Sequence, residues 1–220
     1  MIKYISFDLD GTLIHENKKF DYILWSVEIP KLYAKKNRVS LKEARKEIFS
    51  QYYSSKYIDK LNDKDWTRVT YWLKRFRLEK DLENLVSKMK KHVNISKKTI
   101  GVLKRLSKKH DLILITASDP QFIKIKLETD RIEKYFKRIF SIDSLKVQNK
   151  DEKMYLKVLK QLKAKPEEIA HVGDGRKVDF EIPSNLGIIA FHLNHKGSKE
   201  KNSVKSLVEF EQKLKALKLI

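Results

Sequence analysis

From Ser96 onward the chain alternates short apolar runs with helical stretches, and this pattern limits the fold more than any other feature. Residues 112–115, 138–142, 169–172 and 188–193 read as strands. Residues 96–110, 121–127, 152–162 and about 204–217 read as helices, with a shorter helix opening near Lys177. Pro183 falls in that short helix, and Gly187 is expected to close it as a C-cap. The strands are short and largely apolar, which is what a sheet covered on both faces requires. Tyr4-Ile5-Ser6-Phe7 adds a strand at the start of the chain. Strands separated by helices predict an α/β fold, a doubly wound, Rossmann-like parallel sheet.

Between the first strand and this region, residues 18–91 carry no good strand pattern. Ser40-Leu41-Lys42-Glu43 is a capping box that opens a helix holding Ala44, Ile48 and Phe49. Pro30 is expected to kink or end the helix before it. Asn62-Asp63 offers another helix start, ahead of Trp66, Val69, Tyr71-Trp72-Leu73 and Phe76 at helical spacing. A further helix holds Leu82, Leu85, Val86 and Met89. Trp25, Trp66 and Trp72 all fall in this stretch. They are expected chiefly as the core of a small helical bundle, with an aromatic-lined substrate pocket as the alternative. The expected organisation is a catalytic core of residues 1–15 and 96–220, with an inserted α-helical cap domain at 16–95. Two short hinges, near 15–17 and 94–96, would join them.

Cysteine is absent, so disulfides and thiolate metal sites are excluded and any metal must be held by oxygen or histidine. None of the six histidines forms a metal-ligand spacing, and His15 alone stands close to the acidic loop that follows the first strand. The net charge is +20, from 49 Lys+Arg against 29 Asp+Glu. The lysines are spread over the whole length, with no arginine-rich block, so they read as solvated helix faces. Nucleic acid is therefore not expected as a partner. The positive field should still favour phosphorylated substrates. No apolar run approaches 18 residues and no signal peptide is evident, so neither a membrane partner nor export is expected. A cytoplasmic enzyme is the default expectation.

Chemistry concentrates where strands end, the edge at which open α/β sheets bind ligands. Asp8 and Asp10 close the first strand, and residues two apart on a strand share a face. The first carboxylate can attack phosphorus. The second can shuttle a proton while its backbone shares a divalent metal with the first. Gly11 then supplies the freedom to leave the strand. Thr116 ends another strand, and Gly173-Asp174-Gly175-Arg176-Lys177-Val178-Asp179 follows a third. Magnesium prefers about six oxygens, and carboxylates from two strands, a backbone carbonyl and a phosphate oxygen suit it.

Four motifs stand in order: Asp8-Leu9-Asp10-Gly11-Thr12, a strand-end Thr116, Lys150 before a helix, and Gly173-Asp174 followed by Asp179. In these the chain resembles the haloacid dehalogenase-like superfamily of aspartate-nucleophile phosphatases, over essentially its whole length. The resemblance implies that Asp8 is the nucleophile and a metal ligand. It implies that Asp10 is the general acid and base, with its carbonyl on the metal. Asp174 would be the second carboxylate ligand, and Asp179 would act through a bound water or through neighbouring ligands. Thr116 and the backbone of Ala117 would hold phosphate oxygens. The lysine motif departs from the Lys-Pro-Asp-Pro of many relatives, reading Asn149-Lys150-Asp151-Glu152-Lys153. Lys150 is expected to contact phosphate, with Lys153 as the alternate.

The insertion point resembles the family's type-one cap. The implied activity is magnesium-dependent (Mg2+) hydrolysis of a small phosphomonoester, a phosphorylated metabolite, through an aspartyl-phosphate. A phosphomutase of the β-phosphoglucomutase type remains open. A dehalogenase is disfavoured, because those relatives lack the second aspartate. A basic nucleic-acid or protein-binding module is the reading from another class, and lysines clustered on one face would favour it.

Overall fold

Six parallel strands form one sheet: β1 (Tyr4–Phe7), β2 (Asp111–Thr116), β3 (Phe136–Ser141), β4 (Ile169–Gly173), β5 (Ile189–Leu193) and β6 (Ser203–Val204). Their order is β3-β2-β1-β4-β5-β6, the doubly wound order that places a crevice beside the first strand, where the winding reverses. The computed structural model describes residues 1–14, 17–57, 65 and 68–220. His15, Trp66 and the helix start expected at Asn62-Asp63 lie outside the described residues.

Both faces of the sheet are buried, as its apolar strands require. Leu112 and Leu114 of β2 point into one apolar cluster with Ile5, Phe7, Ala170 and Val172. Ile113 and Ile115 point into another, with Met154, Tyr155, Val158 and Ile169. The alternation is the strand period of two. On the second face lie helices α8 (Glu152–Leu162) and α9 (Ile182–Asn185). The first cluster receives α6 (Lys97–Leu106), α7 (Pro120–Glu128) and α10 (Leu207–Ala216). Ser96 caps α6 by accepting from the Thr99 N–H at 3.0 Å, and Asp119 caps α7 by accepting from Gln121 at 2.9 Å.

The strand pattern missed β6. Two residues are too few for periodicity to register, and the apolar Val204 reads as the start of the last helix. That helix begins only at Leu207, after Ser206 accepts from the Glu209 N–H at 3.2 Å.

The insertion between β1 and β2 is helical: α1 (Asn17–Ile23), α2 (Ile29–Asn37), α3 (Leu41–Tyr57), α4 (Val69–Arg75) and α5 (Leu82–Lys90). The capping box forms as expected, Ser40 Oγ accepting from Glu43 and Glu43 Oε2 from the Ser40 N–H at 2.8 Å. Pro30 does not end the helical run. It sits in the first turn of α2, after a π-helical segment at Leu24–Glu28. A proline cannot donate to the carbonyl four residues earlier. That carbonyl, of Ser26, instead accepts from Arg45 Nε at 2.8 Å, so the chain widens without breaking.

Trp72 is fully buried, edge-on to Trp25 at 6.1 Å and stacked with Phe76 at 5.8 Å. Trp25 is only half-buried and faces the crevice described below. Trp72 thus lies in the expected bundle core, whereas Trp25 packs against that core and also lines the crevice, the alternative the sequence left open. The buried apolar cluster runs without a break from Phe7 and Phe122 through Phe20 to Trp72 and Met89. Helical insertion and sheet thus share one core.

Candidate active site

The crevice at the C-terminal edge of β1, β2 and β4 has a volume of about 480 Å³ and is lined by both the sheet edge and the insertion. Asp8, Asp10, Thr116, Ala117, Lys150, Asp174 and Asp179 all line it, so the fold brings together at one crevice the residues expected from the four motifs.

The acidic loop is held from below. Asp8 continues the sheet ladder, its N–H donating to Val172 at 3.0 Å. Leu9, Leu13 and Ile14 are fully buried, and the Leu9 carbonyl accepts from both Leu13 and Ile14. Gly11 adopts φ of 82°, and a Cβ there would fall onto the Asp174 carboxylate, so two requirements select glycine. Thr12 is buried and its hydroxyl accepts from the Asp174 N–H at 3.1 Å, tying the two acidic loops together.

Lys150 precedes the N-cap of α8, where Asp151 accepts from Met154. Its stem is buried and its ammonium lies 2.5 Å from both Asp8 Oδ1 and Asp179 Oδ1. Lys153 is exposed, outside the crevice. Asp179 is saturated: Oδ1 also meets His171 Nε2 at 3.2 Å, and Oδ2 accepts from the Gly175 N–H at 2.9 Å. Burial pushes the Asp179 carboxyl up, but Lys150 and His171 outweigh it and hold the group well below the usual carboxylate range. Asp8 goes the other way. Burial pushes its carboxyl well above the usual range, the neighbouring Asp179 and Asp174 add to this, and Lys150 only partly offsets it.

This imbalance tests whether a divalent cation fits. Carboxylate oxygens of Asp8, Asp174 and Asp179 lie within 4.8 Å of one another. Asp8 and Asp179 share the Lys150 ammonium and Asp174 stands beside them, so three carboxylates gather around one cation. The donor set is all oxygen, and Asp174 is the exposed member, open to the crevice. A hard dication such as magnesium suits that set and that charge. Both oxygens of Asp179 already meet protein donors, Lys150 and His171 on one and the Gly175 N–H on the other.

Four features of the site were not singled out from the sequence. His171, on β4, stands in register with Ser6 on β1, whose Oγ is 2.5 Å from His171 Nδ1. Burial lowers the imidazole's affinity for a proton, so it is neutral. Ser6 donates to Nδ1, and Nε2–H faces Asp179 and, at 3.1 Å, the Tyr155 hydroxyl, which donates to the Val178 carbonyl. A histidine inside an apolar parallel strand was the available signal, since a buried polar ring needs partners.

Lys126, on the apolar face of α7, is buried with its ammonium 2.5 Å from Asp10 Oδ1. Ser118 closes the turn after Thr116, donating its N–H to the Thr116 hydroxyl at 3.1 Å. Asp21, on α1, lines the crevice mouth, and crowding by protein pushes its carboxyl up to about 6 against the pull of Lys126. From the same side come Phe20, Leu24, Trp25, Tyr52 and Val69.

Comparison with known proteins agrees with this geometry. The family model described as haloacid dehalogenase-like hydrolase matches residues 2–186. The chain is 23% identical over 182 residues to the GMP/IMP nucleotidase YrfG of Escherichia coli strain K12, covering 82% of this chain and 78% of that protein. Among solved structures, it is similar to the HAD phosphatase from Thermococcus onnurineus, with a TM-score of 0.80 and 23% identity, covering 97% and 98% of the two chains. It is also similar to the 2-haloacid dehalogenase from Pseudomonas syringae pv. tomato DC3000, with a TM-score of 0.68 and 18% identity, covering 99% and 100%. At these identities the solved structures establish the fold.

Proposed function

Because the chain belongs to the haloacid dehalogenase-like hydrolase family, we propose that it is a magnesium-dependent phosphatase that hydrolyses a small phosphomonoester through an aspartyl-phosphate on Asp8. One observation carries this reading over a dehalogenase. A second carboxylate, Asp10, lines the same crevice two residues beyond Asp8, and beside it Asp8, Asp174 and Asp179 gather three carboxylates around the single Lys150 ammonium. Displacing a halide needs neither a proton nor a dication. Expelling an alkoxide from phosphorus benefits from both.

In this reading Asp8 Oδ attacks phosphorus, and the leaving oxygen departs with its bonding pair and takes a proton from Asp10. Water then attacks the phosphorus of the aspartyl-phosphate and gives its proton to Asp10, and the bond to Asp8 breaks. Lys150 offsets the charge that collects on Asp8 and the phosphoryl group, and the Asp179–His171–Ser6 chain keeps that ammonium in place. Thr116, Ala117 and Ser118 offer phosphate contacts. Asp8, Asp174 and the Asp10 carbonyl would hold magnesium, which supplies charge neutralisation on phosphate oxygens. The helical insertion, residues 16–95, serves as the cap that excludes water and selects the leaving group.

The crevice walls favour a flat leaving group. Trp25 and Tyr52, both half-buried, present ring surface, and Asp21 adds one acceptor at the mouth. A purine mononucleotide suits that combination, and it is also what the name of the E. coli relative describes. A panel of nucleoside monophosphates, sugar phosphates and p-nitrophenyl phosphate, assayed with magnesium and again with chelator, tests the reading. Activity should need the metal and favour a purine mononucleotide. Trp25→Ala should cut kcat/KM for that nucleotide by about tenfold or more, the loss of one buried stacking contact, and change p-nitrophenyl phosphate much less. Full activity in chelator, or an unchanged substrate ranking in the variant, would contradict it.

A further inference from the structure

Lys126 belongs to none of the motifs, yet it is one of the most thoroughly enclosed charges in the molecule. Its side chain is 3% exposed, on the helix face that also buries Phe122, Ile123, Ile125 and Leu127. Burying an ammonium among such neighbours is costly unless it is paired. Its partner is Asp10 Oδ1 at 2.5 Å, and Ser118 Oγ lies 3.5 Å away. The ammonium also sits 4.7 Å from the centre of the Phe20 ring and 5.9 Å from that of Phe122. These two rings meet edge to face at 5.4 Å. Phe20 comes from α1 of the insertion and Phe122 from α7 beside the sheet, so Lys126 is enclosed from both sides.

We propose that Lys126 is a positioning residue that holds the Asp10 carboxyl group on the leaving-group side of the crevice by donating to Oδ1, whether the group is acid or carboxylate, so that Oδ2 carries the proton to be delivered, and that Phe20 insulates this pair from water. The proposal rests on the phosphatase reading, because it assigns Asp10 the proton that the leaving oxygen takes. The pairing fixes a carboxylate that is otherwise 35% exposed. An Asp side chain at that exposure would sample several rotamers, and proton delivery needs one of them. The cation-over-ring contact strengthens as water is excluded, so the insertion contributes to setting the proton donor.

Leaving-group dependence separates this role from a merely structural one. An alkyl phosphate expels a basic oxygen and needs the proton, whereas p-nitrophenyl phosphate expels a stable phenolate and needs it little. Lys126→Met should lower kcat on an alkyl phosphate or mononucleotide by about 10- to 100-fold, within the range of general acid catalysis, and on p-nitrophenyl phosphate by less than about threefold. Lys126→Arg should recover part of the loss, because a guanidinium can also pair with the carboxylate. Phe20→Leu keeps the volume apolar and removes the ring. It should show the same split to a smaller degree, and serves if Lys126→Met does not fold. An equal loss on both substrates, or no loss on either, would overturn the proposal. A wild-type protein inactive on every phosphomonoester would instead bring down the phosphatase reading, and the proposal with it.

Discussion

Replacing Asp8 by Asn is expected to leave a folded protein whose phosphatase turnover is lower by about a thousandfold or more, at least roughly 4 kcal/mol of barrier. The amide has the volume of the carboxylate, but its oxygen is neutral and a far weaker nucleophile, so the acyl-phosphate does not form at a useful rate. Retention of the fold follows from the ion pairs. Lys150 is held between Asp8 and Asp179, and the variant leaves it paired with Asp179. The wild-type Asp8 carboxyl has its pKa raised by burial and by two neighbouring carboxylates, so the native state holds that proton more tightly than the unfolded chain. Without metal, Asp8 therefore costs stability as pH rises above the unfolded carboxylate value, and the cost is largest once Asp8 is ionised. Asp8→Asn removes that cost. Its melting temperature at neutral pH in chelator should equal or exceed that of the wild type, while magnesium should stabilise it less. Residual turnover within tenfold of wild type in carefully purified protein would contradict the assignment of the nucleophile.

The second large effect is on stability as well as activity. Lys150→Met should destabilise the fold by about 3–5 kcal/mol at neutral pH, because it strands two buried carboxylates without their shared cation. The Lys150 ammonium is enclosed. Burial alone would lower its affinity for the proton, but Asp179 and Asp8 raise it above the ordinary lysine value. Its contribution is thus fully present below the unfolded lysine pKa and is lost only as pH rises through the raised folded one. Asp179, held low, contributes in full above the ordinary carboxylate value and loses that contribution as pH falls from there through its lowered folded value. In Lys150→Met the sign reverses for Asp179, which loses its main cation, and Asp8, raised already, rises further, so the deficit should shrink as pH falls from 7 towards 5. Urea denaturation of both proteins across that range checks the size and the direction. A deficit below about 1 kcal/mol, or one that grows on acidification, would show that Lys150 does not hold the cluster together.

The parallel sheet was legible because burial on both faces leaves a continuous apolar run, which no amphipathic helix imitates. Asp8, Asp10, Thr116 and Asp174 were legible because they end or directly follow strands, and a parallel sheet gathers its strand ends along one edge; Asp179 was legible from the first helical turn after the same loop. Lys150 was legible from its place before a helix. Lys126, His171, Ser6 and Asp21 were not, for a common reason. Each acts across a distance in sequence that local pattern does not encode: Lys126 to Asp10 spans 116 positions and Ser6 to His171 spans 165. A lysine on an apolar helix face and a histidine in an apolar strand were the signals present. Trp25 and Trp72 look alike in sequence, and only the packing of the π-helical segment Leu24–Glu28 against α3 and α4 decides that one reaches the crevice and the other the core. Pro30 shows the limit of a local rule. Its break was absorbed because Arg45, on another helix, supplies the hydrogen bond that the proline withholds.

Trapping the covalent intermediate tests the central claim most directly. Protein mixed with a hydrolysable phosphomonoester and magnesium, quenched in acid within one turnover and reduced with borohydride, would convert an acyl-phosphate on aspartate to homoserine. Mass spectrometry of the peptide spanning residues 4–14 would then locate it. The account predicts homoserine at position 8, appearing no more slowly than product is released, and absent both from Asp8→Asn and from samples prepared in chelator. Turnover with position 8 unmodified throughout, or modification at Asp10, Asp174 or Asp179 instead, would contradict it.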